Sequence, residues 1–256
     1  MNALVRAARN LMRRFGFDVV RYGTSSLDAL PADVDAAAAA TIRAVRAYTM
    51  TSPERLYALI QAVRHVAAAA VPGGIVECGV WRGGSMMAAA RTLIECRDAS
   101  RDLYLFDTYE GMSLPTTRDV ALDGQSAAVL LGEQDRSDPA SAWCHAALED
   151  VRSAMATTGY EPGRVHFVKG KVEETIPRSA PQCIAVLRLD TDWYESTRHE
   201  LVHLYPRLSP GGVLIIDDYG HWDGCRQAVD EYFASRNIHL LLHRVDYTGR
   251  VAIKPA

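Results

Sequence analysis

Two buried-strand patterns that each end in aspartates constrain the fold of this chain most. Residues 184–189 lead into Asp190, and residues 213–216 lead into Asp217 and Asp218. Apolar runs bounded by glycine and acidic residues predict core strands of a parallel sheet, and such folds bind ligands at the carboxyl ends of their strands. Three carboxylates gathered there without cationic neighbours would repel, and a hard divalent cation would relieve that repulsion. The sequence therefore predicts a metal site, with magnesium favoured over manganese or calcium.

The composition is that of an ordinary globular chain. Its 256 residues are 48% hydrophobic and 23% charged, which is enough for a large core in one α/β domain with a short extra lobe. The net charge of −3 gives no electrostatic reason to expect nucleic acid as a partner. The five cysteines are odd in number and lack C-x-x-C spacing, which favours reduced thiols and a cytoplasmic location.

Residues 1–22 combine basic and apolar side chains. Arg6, Arg9, Arg13 and Arg14 interrupt the apolar residues, so this segment does not resemble a signal peptide or a membrane span. Two interpretations stay open. One is a basic amphipathic helix that makes peripheral contact with a membrane or a partner, and the other, which we favour, is a docked or frayed terminal helix.

Helix and strand patterns alternate along the rest of the chain. Helices are predicted over residues 35–48 and from Ser52 onward, where Ser52 caps the helix and Pro53 suits its first position. Strands are predicted at residues 75–78, 103–107, 165–168, 184–190 and 213–217, with a closing hairpin at 238–245 and 251–254. This alternation predicts an α/β fold with a doubly wound parallel sheet and right-handed crossovers. Together with the hairpin, it resembles the seven-stranded class I methyltransferase sheet.

The loop after the first strand indicates the class of cofactor. Residues 77–85 read E-C-G-V-W-R-G-G-S, whereas the G-x-G-x-x-G spacing lets a backbone approach pyrophosphate. A cofactor without phosphate fits better, and S-adenosylmethionine is one, whose carboxylate would meet N–H groups and Ser85 at the helix start. Asp107, at the end of the next strand, would accept hydrogen bonds from ribose hydroxyls. By itself, the loop is equally well explained as a tight turn required for packing.

Several ordered motifs carry a resemblance to a known family. They are Y-T-M-T-S-P-E-R at 48–55, V-E-C-G-V-W-R-G-G-S at 76–85, F-D-T-Y-E-G-M at 106–112, K-G-K-V-E-E-T at 169–175, L-D-x-D at 189–192 and I-D-D-Y at 216–219. From about Tyr48 to Phe233 the chain resembles the macrocin O-methyltransferase (TylF) family of metal-dependent sugar O-methyltransferases. The resemblance implies methyl transfer from S-adenosylmethionine, with Mg²⁺, to a sugar hydroxyl. The acceptor would be a natural-product deoxysugar or a bacterial oligosaccharide, polysaccharide or glycolipid sugar.

The resemblance also implies which residues form the site. The cofactor pocket would be lined by Met50, Thr51, Glu77, Gly79, Ser85, Asp107, Thr108, Tyr109, Val172 and Glu173. The implied magnesium ligands are Asp190, Asp217 and Asp218, the same residues that the strand ends predict.

The expected organisation has two parts. We predict an N-terminal helical lid over residues 1–50 and a class I methyltransferase domain over residues 51–256. Within that domain, the insertion at residues 113–160 is rich in polar side chains and is placed to cover the acceptor. A lid that caps a neighbouring copy's site would favour a homodimer or a higher homo-oligomer.

The general base has four candidates. Asp190 is implicated by related sugar methyltransferases, although coordination to a metal weakens a carboxylate as a base. His145 lies in the insertion, and His221 directly follows the second aspartate motif. An imidazole near its ordinary pKa suits proton removal, although either histidine is equally well explained as an ordinary surface or hydrogen-bonded residue. Glu195, in the turn after Asp190, is the fourth.

Two rival functions remain. Residues 199–203 match H-E-x-x-H, in which His199 and His203 would bind zinc in a metalloprotease. No third histidine follows at metzincin spacing, and the segment falls in the crossover helix between the two aspartate strands, so we interpret the match as chance. A catechol-type O-methyltransferase, which combines a similar sheet with magnesium and aspartates, is the closer alternative. The sugar-type motifs argue against it.

Overall fold

A computed structural model describes residues 30–136, 138 and 141–255 of the chain. The basic segment at residues 1–22 lies outside the described residues. The chain divides into two units after Val34, and the second, Asp35–Ala256, is compact by itself. The boundary between lid and domain at residues 50 and 51 stays a prediction. None of the helices in the described ranges is long and apolar enough to cross a membrane.

A mixed sheet forms the centre of the second unit. Its strands are β1 (Gly74–Cys78), β2 (Leu103–Asp107), β3 (Val165–Lys169), β4 (Ile184–Leu189), β5 (Leu208–Ile216), β6 (His243–Arg244) and β7 (Arg250–Ile253). The seven strands follow the order β3-β2-β1-β4-β5-β7-β6. The pairs among β1 to β5 are parallel, and β7 is antiparallel to both of its neighbours. This topology confirms the predicted doubly wound sheet with an antiparallel final hairpin.

The first strand of the hairpin is much shorter than its sequence predicts. The apolar segment at residues 238–245 predicts a strand, but the structure has only His243–Arg244 in β6. Ile238, Leu240 and Leu242 pack against the main hydrophobic cluster, whereas Leu241 is exposed. The apolar pattern therefore reflects burial of one side of an extended segment that pairs with no strand among the described residues.

Helices cover the sheet, and the first two begin at side-chain caps. They are α1 (Ala36–Val45), α2 (Pro53–Ala68), α3 (Gly84–Glu95), α4 (Ala127–Gly132), α5 (Leu148–Ala156), α6 (Val172–Thr175), α7 (Tyr194–Leu204) and α8 (Asp223–Ser235). Asp35 Oδ1 accepts hydrogen bonds from the N–H groups of Ala37 and Ala38, 3.1 and 3.0 Å away. Ser52 Oγ accepts one from the N–H of Arg55 at 3.2 Å, which confirms the predicted cap of α2.

The two central strands are buried along their whole length. Every residue of β1 and of β4 is buried, as expected for parallel strands with both faces covered by helices. Two of these residues are acidic or basic: Glu77 in β1 and Arg188 in β4, which are 1% and 3% exposed. Buried charges must find partners, so the centre of the sheet requires an ion-pair network.

Gly79 brings the loops after β1 and β4 together. Its φ is +82°, and a Cβ at this position would lie 1.8 Å from the carbonyl oxygen of Asp190. We expect Gly79→Ala to lower the free energy of unfolding by more than the about 1–2 kcal/mol that left-handed backbone alone costs. Urea denaturation measures this loss.

Gly124→Ala is the matched control for this prediction. Gly124 also has a positive φ, +89°, but apart from its chain neighbours no described residue has an atom within 4 Å of where its Cβ would be. Its substitution should therefore cost only the about 1–2 kcal/mol of backbone strain. Equal losses in the two variants would show that the close approach to Asp190 contributes nothing.

Candidate active site

A large cavity opens at the carboxyl ends of the central strands. It has a volume of about 440 Å³, and its position is the usual ligand site of an open α/β sheet. Its walls include eight predicted cofactor residues: Met50, Thr51, Gly79, Ser85, Asp107, Thr108, Val172 and Glu173. The aspartates that follow β4 and β5 line the same cavity. The structure thus brings the glycine loop and the acidic residues into one site.

Asp107 organises the glycine loop. Its Oδ2 accepts hydrogen bonds from the N–H groups of Val80 and Trp81 at 2.7 and 3.0 Å, and its Oδ1 accepts one from Tyr109 at 2.6 Å. Burial raises the pKa of Asp107, and these backbone donors oppose that shift. The Thr108 hydroxyl lies 3.5 Å from Oδ1 but donates to the carbonyl oxygen of Gly111 at 2.6 Å. Because a carboxylate offers about four acceptor positions, one remains on Oδ1 for a ribose hydroxyl. Sequence reasoning identified Asp107 but missed its role in shaping the loop.

Two predicted cofactor residues lie behind the cavity wall. Tyr109 is 3% exposed and donates its hydroxyl to the carbonyl oxygen of Leu105 at 3.0 Å. Glu77 is 1% exposed, accepts a hydrogen bond from Arg188, and leaves its Oε2 without a partner among the described residues. Burial raises the pKa of Glu77 to about 7, although Arg188 lowers it. Both residues therefore support the site from beneath.

Three carboxylates form the acidic cluster of the cavity. Oxygen atoms of Asp190, Asp192 and Asp218 all lie within 4.8 Å of one another. Asp218 Oδ2 also accepts the N–H of Asp192 at 3.3 Å. Burial raises the pKa of all three groups, that of Asp192 to about 7, and neighbouring carboxylates raise them further. Converging oxygen ligands with mutual repulsion fit a hard divalent cation.

Asp217 faces two arginines. It is 1% exposed; its Oδ1 lies 2.7 Å from Arg188 Nη2, and its Oδ2 pairs with Arg55 Nη1. The expectation that these carboxylates lack cationic neighbours is therefore wrong. Asp217 stays a predicted metal ligand, and the structure brings Asp192, which the sequence analysis did not select, to the acidic cluster.

Arg188 is the centre of the buried network. Its Nη1 pairs with Glu77 and lies 2.6 Å from Asp190 Oδ2. Its Nη2 donates hydrogen bonds to Thr51 Oγ1 at 3.1 Å and to Asp217. One guanidinium thus offsets part of the charge of three carboxylates and ties the segment before α2 to the sheet. Its signal in the sequence is a charged residue inside an otherwise apolar strand.

Arg55 extends this network to the hairpin. Besides pairing with Asp217, its Nε lies 3.0 Å from Asp246 Oδ2. Ser52 donates its hydroxyl to the same oxygen at 2.7 Å. Asp246 in turn accepts the N–H groups of Thr248 and Gly249 at 2.9 and 2.7 Å, which holds the turn between β6 and β7.

The structure separates the candidate bases. His221 lines the cavity. Its ring centroid lies 4.8 Å from that of Trp222 and 6.0 Å from that of Tyr247. Burial lowers the pKa of His221. His145 and Glu195 are exposed and are absent from the described walls of the cavity. His221 is therefore the histidine that the geometry brings to the site, and His145 stays a prediction without such support.

The H-E-x-x-H segment has a structural role. The rings of His199 and His203 lie 4.4 Å apart, and His199 Nε2 is 3.0 Å from the carbonyl oxygen of Ile176. Glu200 is fully buried and accepts a hydrogen bond from the hydroxyl of Thr191 at 2.9 Å. Because Thr191 lies between the two aspartates of the L-D-x-D motif, this hydrogen bond supports the loop that carries them. Among the described residues, the only cluster of three potential metal ligands is the acidic cluster.

Comparison with known proteins agrees with this geometry. The family model described as macrocin-O-methyltransferase (TylF) matches residues 12–253. The chain belongs to this family. Membership confirms the resemblance found in the sequence and the enzyme class, an S-adenosylmethionine-dependent O-methyltransferase.

Two curated proteins are similar over most of the chain. The chain is 37% identical over 203 residues to 8-demethyl-8-(2,3-dimethoxy-alpha-L-rhamnosyl)-tetracenomycin-C 4'-O-methyltransferase of Streptomyces olivaceus. It is 34% identical over 204 residues to demethyldecarbamoylnovobiocin O-methyltransferase of Streptomyces niveus. Each match covers 79% of this chain and 74% of the relative.

Solved structures confirm the class I methyltransferase fold. The O-methyltransferase NovP superposes with a TM-score of 0.68 at 30% identity and covers 82% of this chain and 83% of its own. CalS11, a calicheamicin methyltransferase, gives a TM-score of 0.61 at 18% identity and covers 93% of this chain and 99% of its own. At that identity the likeness shows the fold alone.

Proposed function

We propose that this TylF-family enzyme methylates a hydroxyl of a sugar-containing acceptor, with S-adenosylmethionine as donor and Mg²⁺ at Asp190, Asp192 and Asp218. The observation that carries this proposal is the acidic cluster in the same cavity as the glycine loop. Sugar specificity is supported by curated relatives: the Streptomyces olivaceus enzyme acts on a rhamnosyl group, and another relative, 33% identical, is mycinamicin III 3''-O-methyltransferase of Micromonospora griseorubida.

The glycine loop and the residues around it would hold the cofactor. When bound, S-adenosylmethionine would supply a methyl group carried on a sulfonium. The acceptor oxygen would attack the methyl carbon in line, and the thioether would leave. Backbone N–H groups at the start of α3 and the hydroxyl of Ser85 would bind its carboxylate, and Asp107 would bind its ribose. Met50, which is 57% exposed, and Thr51 line the same cavity from the segment before α2. These contacts position the reacting atoms, which is most of what such a displacement requires.

The acidic cluster would hold the cation and the acceptor. Bound Mg²⁺ would lower the pKa of a sugar hydroxyl and orient its oxygen. Asp190, Asp192 and Asp218 supply the ligand oxygens, and Arg188 holds Asp190 in place through its ion pair. Arg188 and Arg55 hold the neighbouring Asp217 in place through their ion pairs.

His221 is the base that we propose. Because burial lowers its pKa, the imidazole is neutral at neutral pH and can accept the proton that the hydroxyl loses. As the new oxygen–carbon bond forms, the carbon–sulfur bond breaks and S-adenosylhomocysteine leaves. Asp190 is the weaker candidate because its carboxylate is paired with Arg188 and would bind the metal.

The insertion at residues 113–160 would cover the acceptor. Five of its described residues, Ser113, Leu130, Leu131, Ala142 and Cys144, line the cavity. Trp193 Nε1 donates to the carbonyl oxygen of Ser113 at 3.0 Å, which anchors the start of the insertion beside the acidic cluster.

We also propose a cytoplasmic location, consistent with five free cysteines, and a homodimer or higher homo-oligomer.

A panel assay tests this function. The enzyme, S-adenosylmethionine and Mg²⁺ are incubated with mono- and oligosaccharide glycosides, sugar phosphates and a catechol, and products are identified by mass spectrometry. We expect a single added methyl group on a sugar hydroxyl. Methylation of the catechol in preference to every sugar would favour the catechol-type alternative and overturn the proposal.

A further inference from the structure

A second cavity lies beside the active-site cavity. Its volume is about 390 Å³, within the range of small-molecule sites. Three arginines, two tyrosines and a leucine form most of its wall: Arg226, Arg244, Arg250, Tyr219, Tyr247 and Leu122. We call this cavity the arginine cleft. Every charged side chain in its described wall is an arginine, so the cleft has the chemistry of an anion site.

Two of these arginines are placed in direct opposition. Arg244 in β6 and Arg250 in β7 are cross-strand partners in the antiparallel pair. Residues directly opposite in such a pair lie on the same face of the sheet, where like charges destabilise the pairing. Burial, followed by the charge of Arg244, lowers the pKa of the Arg250 guanidinium. A bound anion between the two guanidinium groups would remove this repulsion.

No carboxylate in the described part of the chain forms an ion pair with Arg244 or Arg250. Arg250 is 8% exposed and donates to the carbonyl oxygens of Thr248 and Gly249 at 3.3 and 2.9 Å. Its guanidinium carbon lies 4.9 Å from the centroid of the Tyr219 ring. A buried guanidinium with only neutral partners is costly unless a counter-ion approaches it.

Of three acidic residues near the arginine cleft, two have partners other than its arginines. Asp246 pairs with Arg55, and Asp230 accepts the hydroxyl of Tyr219 at 2.9 Å. Asp223 lies 3.4 Å from Arg226 in the first turn of α8, where both side chains are partly exposed. One of the three arginines thus has a weak surface partner, and the cleft keeps its positive charge.

The arginine cleft adjoins the acceptor end of the active site. Tyr247 lines both cavities, and its ring centroid lies 6.0 Å from that of His221. Leu122, in the cleft wall, donates its N–H to the carbonyl oxygen of His221 at 3.0 Å. A sugar whose hydroxyl lies near His221 and the acidic cluster therefore has the arginine cleft within reach of its next substituent.

We propose that the arginine cleft binds a phosphate or diphosphate group attached to the acceptor sugar, so that the acceptor is a sugar phosphate ester. Guanidinium groups match phosphate oxygens with paired N–H donors. The rings of Tyr219 and Tyr247 and the side chain of Leu122 offer contacts to the group beyond the phosphate. Because the sugar part rests on the proposed function, the anion site and the methyl transfer are tested separately.

The first experiment measures anion binding without turnover. Inorganic pyrophosphate is titrated calorimetrically into the full chain and into the variants Arg244→Gln and Arg226→Gln. All titrations contain EDTA, which removes any cation at the acidic cluster. Charge-assisted contacts of this kind predict a loss of affinity of about 10-fold in each variant. Arg178→Gln is the control, since Arg178 is exposed and lines neither cavity, and it should bind like the parent. No binding by the parent, or an equal loss in the control, overturns the proposal.

The second experiment compares matched acceptors. Values of kcat/KM are measured for a methyl glycoside, the 1-phosphate and the nucleoside diphosphate of one sugar, and for a lipid-linked diphosphate. We expect a phosphorylated acceptor to be preferred, and Arg244→Gln to lower the ratio of phosphorylated to neutral kcat/KM about 10-fold. Equal use of neutral and phosphorylated sugars contradicts the proposal. If no sugar is methylated while pyrophosphate binding still requires Arg244, the anion site stands and the proposed function fails.

Discussion

Asp218→Asn is expected to lower methyl-transfer turnover about 100- to 1,000-fold, because loss of metal assistance costs several kcal/mol of transition-state stabilisation. Asp218 follows β5 and shares the acidic cluster with Asp190 and Asp192. Asparagine keeps the shape of the side chain but removes one negative charge from the ligand set. The measurement is kcat at saturating S-adenosylmethionine and Mg²⁺, with the binding of Mn²⁺ followed by titration as a second readout.

Cofactor binding should separate this effect from misfolding. The affinity for S-adenosylhomocysteine is expected to change little in Asp218→Asn, since in the proposed site the glycine loop and Asp107 would hold the cofactor. Asp150→Asn is the matched control, because Asp150 is exposed in the first turn of α5 and lines neither cavity. Parent-like turnover and Mn²⁺ affinity in Asp218→Asn would remove this residue from the metal site.

Arg188→Met is expected to lower the free energy of unfolding by about 3–5 kcal/mol, the range found when one partner of a buried ion pair is removed. The substitution leaves the buried Glu77 without its counter-charge and leaves the buried Asp217 paired with Arg55 alone. It also removes the hydrogen bond to Thr51 that ties the segment before α2 to the sheet. Urea denaturation in the absence of ligands measures the change.

Arg152→Met provides the comparison for this prediction. Arg152 is half-exposed and pairs with Glu149 at 2.9 Å within α5, and an exposed pair of this kind contributes at most about 1 kcal/mol. The same chemical change should therefore have a much smaller effect there. If Arg188→Met were no more destabilising than Arg152→Met, the buried network would have no special part in holding the sheet together.

The positions of Asp190 and Asp218 were predictable because the strands are regular. Parallel strands place their carboxyl ends at one edge, so residues that follow β4 and β5 must meet there. Asp192 was not predictable in this way. It has a φ of +67° and reaches the acidic cluster through the conformation of a loop, which hydrophobic periodicity does not encode.

The cationic half of the site depends on distant contacts. Arg188 lies inside a buried strand that is otherwise apolar, and Arg55 reaches Asp217 from a helix 162 residues earlier in the chain. A pattern of single residues shows neither pairing, although a charge inside a buried strand signals that some partner is needed. The two candidate histidines show the same limit, because only the fold distinguishes His221, in the cavity wall, from the exposed His145.

Metal dependence is the most direct test of the account. The unmodified enzyme is assayed for methyl transfer to its preferred sugar in EDTA and then after Mg²⁺ is restored, with S-adenosylhomocysteine binding measured in both conditions. We predict that EDTA abolishes turnover, that Mg²⁺ restores it, and that cofactor binding persists throughout. Full turnover in EDTA would contradict the assignment of the acidic cluster as a catalytic metal site.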